Sequence, residues 1–431
     1  MSRQRFEERG GGRAAKQHQQ RHLYLLFDDW AEGYSVRMLD LSSDDAASDD
    51  AHGWQIDPRI SGVFVVEGGT ACAGDHFLPP AIFRFKAQRG LPAHFAAAFD
   101  SNILATQPVS PAAAPPPSVF ERHVPVFDVR HRSCLFGPRP EPDRADPIYI
   151  PAGGRLFALA AGTFDVLYGV YPAPPLRGEE AAAWSWRQLP APPFKRRRVA
   201  SYAMHPDGHT VFVSIIRKRA SAAAATFAFD TAESALRDGG GWRRRGKWAL
   251  PFAGRAYFDA ELDAWVGLSR DPDSVGHVCC CDAVPANPNP DGEVRCPVRK
   301  LSKEKLFSVD PTERHIGATL VYMGGRSEFC LVECVSVFIE DERHGDDCAD
   351  EDTSDWEDDD GSSGDGRDNC MQQDEQDVSR PRLYLFRLIT FYLKYDKNAD
   401  LTTGTSCRVR YYRVPKDSTE ALLSNPVAFW M

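Results

Sequence analysis

Short apolar or alternating runs, each closed by turn residues, recur along the whole chain and dictate its architecture. Near the N-terminus HLYLLF and YSVRMLDL predict a hairpin, with ISGVFVVE and AIFRFKA behind it. VPVFDVRHRSCLFG, PIYIPAGGRLFALAAG and TFDVLYGVY follow. The densest stretch, Val199–Asp282, reads VASYAMHPDGHTVFVSI, ATFAFDT, GWRRRGKWALPF, GRAYFDAELDAWVGLS and GHVCCCD. KLFSVD, HIGATLVYMGG, FCLVECVSVFI, RLYLFRLITFYLKYD and CRVRYYRVP complete the series. Runs rich in β-branched and aromatic residues, bounded by Gly, Pro, Asn and Asp, are strand patterns. No long stretch keeps a helical period; SALRDGG and DSTEALLSN predict single short turns of helix.

Turn chemistry joins these runs. The glycine pair in IPAGGRLFALA supplies the freedom a tight hairpin needs. In HPDG, Pro206 presets the first turn dihedral, so Ala203–Met204 should pair with Val211–Val213. Asp259 and Asp263 are expected to cap turns rather than act as an acid–base pair. Trp242, Trp248 and Trp265 should pack between sheets with each indole N–H seeking a carbonyl; aromatic platforms for a sugar or peptide are the alternative.

About twenty strand candidates grouped in fours predict one all-β domain, a β-propeller of roughly five to seven blades with six as the central expectation. A strand at Leu23–Phe27 should pair near the C-terminus, because an open ring would leave edges unpaired. The domain spans 22–415, between a basic, disordered N-terminal tail (1–21) and a C-terminal tail (416–431). The Pro/Ala-rich stretch QPVSPAAAPPPSVF reads as a loop within it.

Across Val199–Asp282, the segments SYAMHPDGHTVFVS, FAFDT, GKWALPFAGRAYFDAELDAWVGL and the terminal CxCD resemble a grass-expanded plant family of uncharacterised proteins, domain of unknown function 1668. That family is similar to kelch-like and F-box-associated β-propellers. The resemblance implies a kelch-like fold and brings no activity with it. No F-box-like helical motif precedes the first strands, which argues against a direct ubiquitin-ligase adaptor.

Charge changes the picture. The chain of 431 residues has a net charge of −10. Residues 340–377 carry 18 acidic residues against Arg343 and Arg367, leaving 49 basic and 43 acidic residues elsewhere. The molecule is thus a mildly basic body bearing one strongly acidic segment, which is too polar and self-repelling to bury a core and reads as a disordered loop inserted between strands. A basic protein is the partner it would tether; Thr353 and Ser354, set among acids, are alternative kinase targets.

No run approaches the roughly 18 apolar residues that cross a bilayer, and the N-terminus lacks the apolar core of a signal peptide. The 11 cysteines are odd in number and follow no fixed spacing. Together these predict a reduced, cytoplasmic or nuclear setting, without membrane attachment.

Candidate chemistry is sparse. GWRRRGK (241–247) has phosphate-loop spacing, but Trp248 occupies the position where magnesium binding needs Ser or Thr, and no strand-to-helix context surrounds it. His277, Cys279 and Cys281 share one strand face and are the weak metal candidates; without a fourth ligand at fixed spacing, a buried core role is favoured. Lys195, Arg196, Arg197 and Arg198 form a basic cluster suited to nuclear import or contact, and Arg243–Lys247 form a second; both are expected on loops, where they could dock the acidic segment in cis. No motif names a catalytic residue or a cofactor. The expected function is a non-catalytic protein–protein interaction scaffold. Its alternatives are a propeller that binds or processes a sugar or small metabolite, and a nuclear protein associated with nucleic acid, the latter disfavoured because aromatics do not interleave with the basic clusters.

Overall fold

The computed structural model describes residues 21–41, 77–108, 123–140, 145–168, 184–216, 224–232, 236, 239–286, 295–338 and 382–431. The acidic segment 340–377, residues 1–20, ISGVFVVE, and most of the Pro/Ala-rich stretch and of SALRDGG lie outside them.

Four-stranded antiparallel meanders succeed one another along the chain. The first begins with β1 (Leu23–Trp30), β2 (Gly33–Leu39) and β3 (Ala81–Lys86). The second is β4 (Phe95–Ala98), β5 (Asn102–Ala105), β6 (His123–Asp128) and β7 (Ser133–Pro138); the third is β8 (Ile148–Ala152), β9 (Arg155–Ala160), β10 (Thr163–Tyr168) and β11 (Ser185–Leu189). The fourth comprises β12 (Val199–Met204), β13 (Thr210–Ile215), β14 (Ala225–Asp230) and β15 (Arg243–Gly246). The fifth comprises β16 (Gly254–Asp259), β17 (Ala264–Leu268), β18 (His277–Asp282) and β19 (Arg299–Lys305). These two fuse into one larger sheet because β12 and β16 pair in parallel, Ser201 opposite Gly254. In the sixth, β20 (Glu313–Gly324), β21 (Glu328–Phe338) and β22 (Arg382–Tyr392) are joined by β25 (Arg408–Arg413), after the small hairpin β23 (Lys394–Tyr395) and β24 (Leu401–Thr402) that docks on β19.

The first meander is completed from the far end of the chain. β26 (Val427–Trp430) pairs antiparallel with β1, from Leu23 opposite Trp430 to Leu26 opposite Val427. The expected pairing of Leu23–Phe27 with a C-terminal strand is therefore present. The C-terminal region is not merely a tail: Thr419 caps a short helix, α1 (Glu420–Ser424), through its side chain, and the next residues form the closing strand. Four residues, VAFW, are too few to register as a strand by pattern.

The core is a series of layers between successive sheets. Leu26 and Phe85 meet Ile103 and Phe127 between the first and second, and Leu104 and Val126 meet Leu156 and Ala158 between the second and third. Phe157 and Phe164 meet Val211 and Phe229; Phe212 and Trp248 meet Trp265 and Cys279; Val266 and Val278 meet Leu331 and Phe391. The sixth sheet then packs on the first, with Phe27 against Phe386 at 5.0 Å between ring centres. Period two divides each strand between two layers: Leu23, Leu25 and Phe27 face the sixth sheet while Tyr24 and Leu26 face the second. Both faces are buried, so LYLLF reads as a continuous apolar run instead of an alternating one.

Local chemistry follows the sequence at the turns. Gly153 and Gly154, at φ 54° and 71°, form the two-residue connection from Ala152 to Arg155, a geometry that glycine adopts without a Cβ penalty. Ala203 pairs with Phe212 and Met204 with Val211 across HPDG. VPVFDVRHRSCLFG holds two strands, His123–Asp128 continuing into its start and Ser133–Pro138 at its end, and KLFSVD leaves the sheet after Lys305. Among the described residues no helix is long and apolar enough to cross a membrane.

Candidate functional site

Of the metal candidates, Cys279 and Cys281 are core and His277 is half-buried. His277 begins β18 with Nδ1–H donating to the Ser302 carbonyl at 2.9 Å. Cys279 and Cys281 are buried between the fourth and fifth meanders, and burial pushes the Cys279 thiol up to about 12 and raises Cys281 as well. A metal ligand must be a thiolate, which this apolar layer disfavours. Among the described residues no three His, Cys, Asp or Glu side chains gather as metal ligands.

GWRRRGK likewise turns out to be sheet. Arg243–Gly246 form the edge strand β15, correcting the expectation of a basic loop, and Arg245 is buried with its guanidinium 5.9 Å from the Phe212 ring centre. Gly246 lies under the Trp248 indole, so close that a Cβ would fall 2.1 Å from Nε1. Trp265 donates its indole N–H to the Met204 carbonyl at 2.6 Å, as expected. Trp242 does not follow that rule: it packs against Phe164, Phe194 and Phe229, and its Nε1 has no acceptor among the described residues. Asp259 is a turn cap, its Oδ1 accepting from the Glu261 and Leu262 amides and from Ser327 Oγ. Asp263 instead takes φ 49° in the same turn.

The cluster at 195–198 is split by its own packing. Phe194 plugs the layer between the third and fourth meanders, and the following turn closes through an Arg198 N–H bond to the Lys195 carbonyl at 2.9 Å. Arg196 is half-buried and pairs with Asp146 at 3.2 Å; burial lowers its proton affinity while Asp146 partly restores it. Lys195 and Arg197 remain exposed, so the outward charge of the cluster is carried by these two.

A second basic locus had no signature in the sequence. The turn after β6 is folded by Asp128, whose Oδ1 accepts from the Arg130 amide at 2.9 Å and the His131 amide at 3.2 Å. Oδ2 takes His131 Nδ1 at 2.7 Å, and Arg132 follows at φ 50°. The Val129 amide bonds the Ser101 carbonyl at 2.8 Å, tying this turn to the β4–β5 turn, where Phe99 and Asp100 sit at φ 52° and 62°. Beside both runs the β26–β1 seam, closed by reciprocal backbone bonds of His22 and Met431. Together they enclose a cleft of about 220 Å³ lined by His22, Tyr24, Asp100, Arg130 and Arg132 among others. Tyr24 is only 3% exposed; burial raises its hydroxyl pKa and the nearby Arg132 charge lowers it. Its ring meets His22 edge-on at 6.5 Å. Two guanidiniums and the Asp100 carboxylate line the cleft, and its lining comes from separate elements that only the fold brings together.

No curated protein matches the chain. Among solved structures it is similar, at 11% identity and a TM-score of 0.26, to a chain of an S. cerevisiae assembly of a Dbp5 variant bound to Nup159, a Gle1 variant, IP6 and ADP. That alignment covers 74% of this chain and 60% of the other, and at this TM-score it carries no argument. The family model described as "Protein of unknown function (DUF1668)" matches residues 20–405, nearly the whole run of meanders, and the chain belongs to that family.

Proposed function

We propose that the chain is a six-bladed, kelch-like β-propeller acting as a non-catalytic protein–protein interaction scaffold. The observation that carries this reading is the cycle of buried layers: each meander packs on the next, and the sixth packs on the first beside the β26–β1 pair. Closure of this kind puts connections of equivalent type at the same end of the barrel of sheets, where they form one broad presentation surface. Lys195 and Arg197, held outward by the Phe194 plug and the Arg196–Asp146 pair, suit an acidic partner surface. The segment 340–377, with 18 acidic residues, suits a basic one. The free thiols of the described cysteines accord with a cytoplasmic or nuclear setting.

Affinity purification with three proteins tests this: the full chain, a chain lacking 340–377, and a K195Q/R197Q variant. A defined set of partners should be recovered with the full chain and depleted by at least one charge change, with melting temperature unaltered by K195Q/R197Q. Recovery indifferent to both changes would remove the support for partner binding through these charged segments.

A further inference from the structure

We propose that the cleft between the first two meanders is a binding site for a phosphate monoester, recognised by Arg130, Arg132, Tyr24 and His22. This inference does not depend on the scaffold reading, since it concerns a cavity on the β26–β1 seam and not the loops at 195–198.

Four observations carry it. Arg130 and Arg132 form no ion pair or hydrogen bond from their side chains with any described residue, although the Asp128-capped turn fixes their backbone. Arg130 and Arg132 are exposed at the mouth of the cleft that both line, so an anion seated there takes charge-assisted bonds from them without either guanidinium leaving water beforehand. Tyr24 is nine-tenths buried, lines the cleft within electrostatic reach of Arg132, and its hydroxyl has no hydrogen-bond partner among the described residues. His22 presents a buried Nδ1 that is likewise unpartnered. Buried polar atoms are almost always bonded in folded proteins, so the buried, unpartnered His22 Nδ1 at this cavity marks the place of a missing hydrogen-bond partner. Asp100 and Arg132, both at positive φ, line the same cavity, as strained residues do at ligand sites.

Size and charge select the ligand. A cavity of about 220 Å³ falls below the roughly 300–1,000 Å³ of pockets for drug-sized molecules, so it fits a head group and little more. A phosphate monoester is close to a dianion at neutral pH and offers three terminal oxygens, enough for two guanidiniums and two further donors. A carboxylate offers two oxygens and one charge, fewer than these donors can engage. The ester can come from a small metabolite or from a phosphorylated side chain; both present the same group to the cleft.

Calorimetric titration of the full chain with phenyl phosphate, phosphoserine and a phosphoserine peptide, each against a chloride control of equal ionic strength, tests the assignment. Saturable binding is expected, weakened at least about tenfold by R130Q/R132Q and several-fold by Y24F, which deletes one donor and leaves the ring packing. K195Q/R197Q should leave it unchanged. Peptide binding well above phenyl phosphate would assign a phosphoprotein source, and equal binding a small ester; either outcome supports the site. Absence of saturable binding, or binding abolished by K195Q/R197Q and indifferent to R130Q/R132Q at unchanged melting temperature, overturns it.

Discussion

Glu333 and Arg387 stand directly opposite each other on β21 and β22, with Arg387 Nη1 2.9 Å from Glu333 Oε2 and the Glu333 side chain wholly excluded from solvent. The remaining capacity of the carboxylate is filled by the Ser308 amide and by His315 Nδ1 at 2.9 Å, and Phe307 stacks on the His315 ring at 4.1 Å. Arg387 also donates to the Leu306 carbonyl at 2.6 Å. One buried carboxylate thus fixes the connection that leads from the fifth meander into the sixth.

Breaking that pair from one side leaves a buried charge short of its main partner. Arg387→Met is expected to destabilise the fold by about 3–5 kcal/mol, and the double change Glu333→Leu with Arg387→Met by much less than the sum of the singles. Urea unfolding of the four proteins in the cycle checks this; additive losses would show that the two residues act separately.

Trp248 and Gly246 are coupled by contact. Trp248→Ala should cost about 3–5 kcal/mol as a buried aromatic truncation. Gly246→Ala alone drives a methyl into the indole and should cost about 1–3 kcal/mol, a penalty that largely disappears in the Trp248→Ala background. Thermal melts of the single and double variants decide it.

The HPDG turn should make stability depend on acid. Burial raises the Asp207 carboxyl, but bonds from Thr210 Oγ1, the Thr210 amide and the His209 amide outweigh it and hold the group below its ordinary 3.8. A depressed carboxyl contributes stability that is present above the unfolded value and is lost as pH falls through the folded value. The melting-temperature gap between the native protein and Asp207→Ala should therefore be full near neutrality and shrink below about pH 4. A gap that widens with acid would contradict the bonding scheme.

Thiol reactivity should follow burial. Alkylation at pH 8, mapped by mass spectrometry, is expected to label the exposed Cys134 and Cys296 well before Cys279, Cys330 and Cys334, whose thiols burial pushes up to about 12. Early labelling of Cys279 in the folded protein would mean that its layer opens.

Among the described residues, Val427–Trp430 supply the β-strand partner on that side of β1. A chain ended after Asn425 should melt lower and self-associate through the bared edge of β1, measured by differential scanning fluorimetry and light scattering. A monomer with unchanged melting would show that side-chain layers alone hold the first sheet in place.

Strand identity and turn chemistry were legible wherever apolar runs are long, as in β1, β13, β21 and β22, because strands packed between layers are predominantly apolar. The sequence also determined the Asp259 cap, the glycine hairpin at 153–154 and the separation of a basic body from one acidic segment. Edge strands such as β15, RRRG, and the four-residue β4, β5 and β26 escaped detection, since an outer strand is polar and a short one has no period. The candidate cleft was invisible for a different reason. His22, Asp100 and Arg132 are ordinary surface residues in their own segments, and only the pairing of the last strand with the first, together with the docking of the second meander on that seam, gathers their charges around one cavity. Pattern along a chain encodes local burial; adjacency between distant segments is decided by packing, and the site belongs to packing.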